Sequence, residues 1–211
     1  MSHLLRRLLP SSETHCLLAR DVLSLPTGFE VEGVDSLAIA STDEKGTEML
    51  EAFALQNGFP DGWAGEMLSE GTQALVAFEE ADNQVLAMGW TTTKPFHVEE
   101  IDATLDPGGG IYLFGDFVAP PHRGRKLQRL LVAERLARAS SASHACTIIH
   151  PANVASLRSY ESQGFVTASR FTRYQWLGRA WRRCRAAAGG SRTRFSLEGN
   201  ETIVARAVNL E

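Results

Sequence analysis

Two stretches of this chain combine residue types whose spacing could do chemistry. The first is residues 115–131, Gly-Asp-Phe-Val-Ala-Pro-Pro-His-Arg-Gly-Arg-Lys-Leu-Gln-Arg-Leu-Leu, in which a β-type run meets two prolines, a basic turn and then a leucine-spaced helical pattern. A strand that turns into a helix leaves the first helical N–H groups unpaired, and together with the helix dipole they attract phosphate. Arg123, Arg125 and Lys126 sit where they would reinforce such a site; taken alone, the same residues also suit a solvated basic loop. The second stretch is residues 149–165, Ile-His-Pro-Ala-Asn-Val-Ala-Ser-Leu-Arg-Ser-Tyr-Glu-Ser-Gln-Gly-Phe. Asn153 suits a helix N-cap, Ser156 and Tyr160 fall four residues apart on one face, and Gly164 closes the helix. As structure alone this is a short capped helix.

The elements that must position these residues follow from periodicity. In the N-terminal forty residues, 17–25 is apolar without clean alternation and 36–40 reads as a first strand. Residues 41–44, Ser-Thr-Asp-Glu, offer a cap, and Met49, Leu50, Phe53 and Ala54 recur at helical spacing, predicting a helix over 44–55. A turn at 58–62 precedes a second short helix over 63–69. Residues 73–78 and 85–93 are β-rich and close enough for a hairpin; 111–118 is a further strand, ending at Pro120-Pro121. Leu127, Leu130, Leu131, Ala133 and Ala137 lie mostly on one helical face, interrupted by Glu134. Strands at 145–149 and 165–176 flank the capped helix over 153–163. An antiparallel meander followed by alternating strands and helices predicts an α/β chain: a mixed, mostly antiparallel sheet with helices on both faces.

Together the two stretches resemble the acyl-CoA-binding core of the GCN5-related N-acetyltransferase (GNAT) superfamily. Residues 118–128 are similar to its Val-x-Pro-x-x-Arg-Gly-x-Gly-x-Gly/Ala pyrophosphate loop, and residues 153–165 to its Asn-x-x-Ser-x-x-x-Tyr-x-x-x-Gly-Phe helix. Lys126 and Gln128 stand where that pattern has small residues, so Gly124 is its one remaining glycine. The resemblance implies a splayed acyl-CoA cleft and acetyl-CoA, or another acyl-CoA, as co-substrate, with no metal. Backbone N–H groups of Arg125, Lys126, Leu127, Gln128 and Arg129 would cradle the pyrophosphate, with Arg123 and Arg125 as side-chain partners. Asn153 and Ser156 would contact the pantetheine or phosphate portion. A backbone N–H around Phe117 or Val118 would polarise the thioester carbonyl. Tyr160 would sit by the sulfur, where a phenol of ordinary pKa about 10 can donate to a departing thiolate; its alternative role is packing.

An alkylammonium acceptor needs a base or a desolvating site worth on the order of 4 kcal/mol at pH 7. Asp116, on the strand before the turn, is the first candidate base, balanced against a strand-end acid that organises the turn. His97, Glu99 and Glu100 form a second cluster, read as a loop over the site. His122, inside the basic turn, suits phosphate support better than proton abstraction.

Charge is strongly divided along the chain. Residues 1–120 hold 20 acidic and 5 basic side chains, residues 121–211 hold 5 and 16, and the total is −4 over 211 residues. That polarity suits two unlike ligands, an anionic cofactor and a cationic acceptor. The composition, 44% hydrophobic and 22% charged, excludes a disordered or collagen-like chain. Three scattered cysteines show neither metal spacing nor a disulfide framework, and no signal peptide or membrane span is read, so a cytoplasmic location without a membrane partner is expected. Residues 179–185, Arg-Ala-Trp-Arg-Arg-Cys-Arg, are compatible with RNA, an acidic protein or an anionic membrane, but a solvated face is the preferred reading. No nucleic-acid module is spelled out. The last segment reads as a β-hairpin, either a sheet addition or a homodimer contact.

The predicted organisation is an N-terminal extension with a first strand over 1–40, an acyltransferase domain over 41–178, and a basic segment with hairpin over 179–211. The leading function is acyl-CoA-dependent N-acylation of a small amine or amino-acid-like acceptor. The alternatives are a degenerate acyl-CoA-binding regulatory module, suggested by Lys126 and Gln128, and an N-acyltransferase drawing on acyl-carrier protein.

Overall fold

The computed structural model describes residues 11–22, 36–40, 44–79, 84–139, 141–177, 179–188, 191–199 and 201–207. The predicted cap at 41–43, the hairpin connection at 81–83 and the glycines at 189–190 lie outside the described residues. In chain order the elements are β1 (Ser11–Asp21), β2 (Ser36–Ala40), α1 (Glu44–Gln56), α2 (Trp63–Ser69), β3 (Gln73–Glu79), β4 (Gln84–Thr92), β5 (Phe96–Val98), β6 (Ala103–Asp106) and β7 (Ile111–Val118). They continue with α3 (Leu127–Arg138), β8 (His144–Ile149), α4 (Val154–Glu161), β9 (Val166–Trp176), β10 (Arg179–Ala186), β11 (Thr193–Glu198) and β12 (Thr202–Ala207). Two compact units result. One comprises Met1–Leu23, Thr93–Tyr112 and Ala142–Glu211; the other comprises Ser24–Thr92 and Leu113–Ser141. The boundaries predicted at 40 and 178 therefore do not coincide with the borders of these units.

In the first unit four strands run in the order β10-β9-β1-β8, all antiparallel, and the first residues of β7 lie parallel to β8 at Ile111 with Ala145 and Tyr112 with Cys146. The strand β1 is central, pairing Cys16 with Ile149 on one side and Thr14 with Thr172 on the other. Every residue from His15 to Arg20 is buried, which explains why its sequence shows no alternation: a strand covered on both faces has no polar side to display. A second sheet runs β11-β12-β6-β5, with β12 parallel to β6. The C-terminal hairpin is thus a sheet addition within this unit. Residues 96–98, expected in a loop, form its edge strand β5.

In the second unit the order is β7-β4-β3-β2. Leu127 and Leu131 of α3 pack with Leu75, Ala77, Leu86 and Ala87 of β3 and β4, and Val118 of β7 adjoins them. Period-two alternation turns Phe117 to the opposite side, where its ring meets Phe53 of α1 edge-on at 6.0 Å. Helices therefore cover both faces of this mixed α/β chain, as the residue pattern requires. The buried stripe of α3 differs from the predicted one: it is Leu127, Leu130, Leu131, Val132, Arg135 and Leu136, while Ala137 is exposed.

Candidate functional site

The strand–turn–helix of the second unit is built by three unusual backbone positions. Gly115, in β7, has φ +59, and a Cβ there would stand 2.7 Å from Trp90 Cδ1, so only glycine fits against that indole. After β7 the chain is pinned by Ala119 N–H to Leu86 O at 2.9 Å and makes a single 3₁₀ turn over Pro120–His122. Gly124 is left-handed at φ +84, and so is Lys126 at φ +61, the residue that opens α3. The side chain of Lys126 makes no cap hydrogen bond to this helix start.

The flanking cations have different fates. Arg123 is exposed, its Nε donating to Val118 O at 3.3 Å. Arg125 is half-buried, paired with Glu79 at 3.4 Å and beside His122 Nδ1 at 3.0 Å. Leu127 is a core residue, and its burial fixes the first turn of α3 onto the sheet.

Asp116, the first candidate base, has an enclosed side chain. Its side chain is 6% exposed and faces α3, where Oδ1 is ion-paired with Arg135, itself 3% exposed. Gln128 Nε2 donates to the other carboxylate oxygen at 3.2 Å. The same guanidinium donates to Trp90 O at 2.8 Å and to Leu131 O at 3.1 Å. Gly89 of β4 makes room for the pair, since a Cβ there would lie 2.6 Å from Asp116 Oδ1 and 2.8 Å from Arg135 Cζ. Both carboxylate oxygens are thus engaged by side chains of α3, and the group is enclosed.

On the other face of β7, Phe117 joins an aromatic group. Its ring meets Phe59 at 5.3 Å, Phe59 stacks on Trp63 at 4.6 Å, and Trp63 meets Trp90 at 5.4 Å.

In the first unit, Asn153 caps α4 as predicted: its side chain accepts from Ser156 N–H at 3.2 Å, and Leu157 N–H donates to its carbonyl at 3.0 Å. Gly164 is left-handed at φ +81 where the helix ends. Tyr160 is 2% exposed and packs edge-on against Phe165 at 4.9 Å. His97 is exposed on β5, and Glu99 and Glu100 are exposed in the 3₁₀ turn after it. Among the described residues no group of three or more His, Cys, Asp or Glu could hold a metal.

Two features escaped sequence reasoning. Arg135 occupies a core position of α3 that a helical stripe assigns to apolar residues, and its only sequence signal is that it lies four residues after Leu131. The rings of His15 and His150 meet at 5.2 Å, His15 being buried and His150 exposed just before the Asn153 cap. Burial pushes the His15 pKa down, the Glu13 charge opposes that shift, His150 adds to it and Glu100 opposes it. Nothing in local sequence links residues 15 and 150.

Comparison with known proteins now bears on these elements. The family model described as the acetyltransferase (GNAT) family matches residues 41–165. The chain belongs to the GNAT family. Among solved structures, a GNAT-family protein of Novosphingobium aromaticivorans is similar at TM-score 0.54 and 16% identity over 77% of this chain and 63% of that one. A GCN5-related N-acetyltransferase of Sphaerobacter thermophilus gives 0.55 and 16% over 78% of this chain and 52% of that one. A GNAT-family acetyltransferase of Colwellia psychrerythraea gives 0.54 and 15% over 82% and 59%. At such identities the likeness is one of fold. The chain's matches span about half to two thirds of these relatives. No curated protein matches it. Within this GNAT chain, the family match includes both stretches singled out from the sequence.

Proposed function

We propose that this GNAT chain is an acyl-CoA-dependent N-acyltransferase that moves an acetyl group to a primary amine of a small or amino-acid-like acceptor. The observation that carries this reading is the turn from β7 into α3, in which left-handed Gly124 and Lys126 lead directly into the helix within the segment matched by the family model. Lys126 is left-handed, a conformation in which a small residue such as glycine would be unstrained.

In this reading the N–H groups of residues 125–129 receive the pyrophosphate and exposed Arg123 supplies charge, while Arg125 braces the turn through Glu79. Asn153 and Ser156 serve the pantetheine portion. The amine nitrogen attacks the thioester carbonyl, whose oxygen is polarised by an N–H near Phe117 or Val118. The C–N bond forms, the C–S bond breaks, and the thiolate takes the Tyr160 proton. The amine gives up its own proton to solvent or to a base other than Asp116, which holds Arg135 and Gln128 in place.

Thermal-shift titration with acetyl-CoA, longer acyl-CoAs and free CoA tests this reading. Stabilisation by acetyl-CoA that weakens with salt and in Arg123→Ala is expected, because a phosphate contact at an exposed arginine is screened by ions. Absence of stabilisation at about millimolar ligand, where even weak binders shift a melt, would overturn it.

A further inference from the structure

The basic segment at 179–185 is a sheet edge with a pronounced division of chemistry. Strands β9 and β10 contain six arginines and no carboxylate. Their register places Arg179 opposite Trp176, Trp181 opposite Tyr174, Arg183 opposite Thr172 and Arg185 opposite Arg170. Side chains alternate across a strand, so these pairs share one face, while Arg182 and Arg173 turn to the other and meet Asp102 at 2.8 Å and 3.2 Å. These two cations thereby share one carboxylate. Arg179, Arg183 and Arg185 stay exposed, and among the described residues none has an ion pair.

The turn end of the same hairpin presents exposed apolar side chains beside Arg179. Trp176 is 48% exposed, Leu177 56% and Trp181 47%, and Trp181 stacks on Tyr174 with rings 5.5 Å apart and 10° from parallel. Leu177 has φ +49, a left-handed position at which glycine or asparagine is the comfortable choice. An aliphatic side chain is thus held in water at a backbone position that disfavours it. Moving away from the turn, the rows are Trp176 with Arg179, Tyr174 with Trp181, Thr172 with Arg183 and Arg170 with Arg185, so the exposed indoles lie in the first two rows and Arg183 stands about 13 Å along the strand from Arg179.

We propose that this hairpin docks on an anionic phospholipid bilayer, with Trp176 and Leu177 entering the headgroup region and Arg183 and Arg185 meeting lipid phosphates. The exposed indoles and leucine near the turn suit the headgroup boundary, from which the long Arg179 side chain can reach back to the surface, while Arg183 and Arg185 lie farther along the strand where cations meet phosphates. A single-stranded nucleic acid would also match the charge, but it gives Leu177 no role, and one face of the Trp181 ring is already occupied by Tyr174. A second copy placed face to face would bring like charges together. This revises two sequence expectations, a solvated face and the lack of a membrane partner, and it is independent of acyl transfer.

The test is flotation of the full chain with phosphatidylcholine vesicles containing about 30 mol % phosphatidylserine, against phosphatidylcholine alone. Flotation only with the anionic vesicles, weakening with salt, is expected. The variant R183Q/R185Q should bind about twenty-fivefold more weakly, because each surface arginine adds roughly fivefold. W176S/L177S should also lose binding, with a melting temperature equal to that of the parent because both side chains are exposed. Failure to float, equal flotation with neutral vesicles, or binding unchanged in both variants would overturn the proposal. So would retention of a single-stranded RNA oligomer that displaces the vesicles and is insensitive to W176S/L177S.

Discussion

Arg135, on the third turn of α3, reaches an enclosed carboxylate, Asp116 of β7, and ties the helix to the strand that precedes the basic turn. The remaining donors of the guanidinium bind the carbonyls of Trp90 and Leu131, so the helix, β4 and β7 share one polar knot inside an apolar layer. Such a knot fixes position more than it adds stability, because desolvating two charges offsets much of their attraction.

Removing only one partner should therefore cost far more than removing both. Asp116→Ala leaves a buried guanidinium uncompensated and is expected to lower unfolding free energy by about 3 kcal/mol in urea titration. The double variant Asp116→Leu with Arg135→Met should recover most of that loss. If Asp116 positions the turn rather than accepting the amine proton, Asp116→Asn should keep the acid limb of the pH–rate profile. Loss of that limb would return Asp116 to the role of base.

Tyr160→Phe separates packing from proton donation. The ring stays against Phe165, so melting temperature and acetyl-CoA affinity should hold, while turnover falls at least about tenfold, a loss of about 1.4 kcal/mol in transition-state stabilisation. Unchanged turnover would leave the residue with packing alone. Tyr160→Ala should in addition destabilise the chain by about 3 kcal/mol through the cavity it opens.

Lys126→Gly tests the turn. Relief of a left-handed side chain gains roughly 1–2 kcal/mol, and the freer unfolded chain returns about 0.4–1 of it, so stability should stay level or rise by about 1 kcal/mol. Acyl-CoA affinity, read by thermal shift, should improve most at about 0.5 M salt, where the lost lysine charge counts least. Weaker binding at every salt concentration would show that the charge outweighs close backbone approach.

Acid should destabilise the fold through its buried histidines. Burial lowers the His144 pKa, opposed by the Pro107 carbonyl and by Asp21, and burial likewise lowers that of His15. The unfolded chain then takes up protons first, near pH 6.5, so stability is complete above that pH and falls as the pH drops toward the folded-state values. Urea midpoints at pH 7.5 and 5.5 should diverge for the parent and converge partly in His144→Gln and His15→Gln. An unaltered difference in both would assign the acid sensitivity to other groups.

Local sequence determined a large share of this protein. Helix spacing marked α1, α2 and α3, Asn153 and Gly164 bracketed α4, and the β-rich runs became β3, β4, β7, β8 and β9, because caps, turns and side-chain periods act over a few residues. The two stretches that carry the family pattern are legible for the same reason. Tertiary structure alone decided the rest. β1 shows no alternation because strands and packing cover it on both faces, and β10 is a strand because it pairs with β9, although its residues are mostly arginine. Whether Asp116 meets substrate or Arg135 depends on which face of β7 turns toward α3, and whether Lys126 weakens the turn depends on its backbone angle. Both are set by packing between residues distant in sequence, which a one-dimensional pattern does not contain.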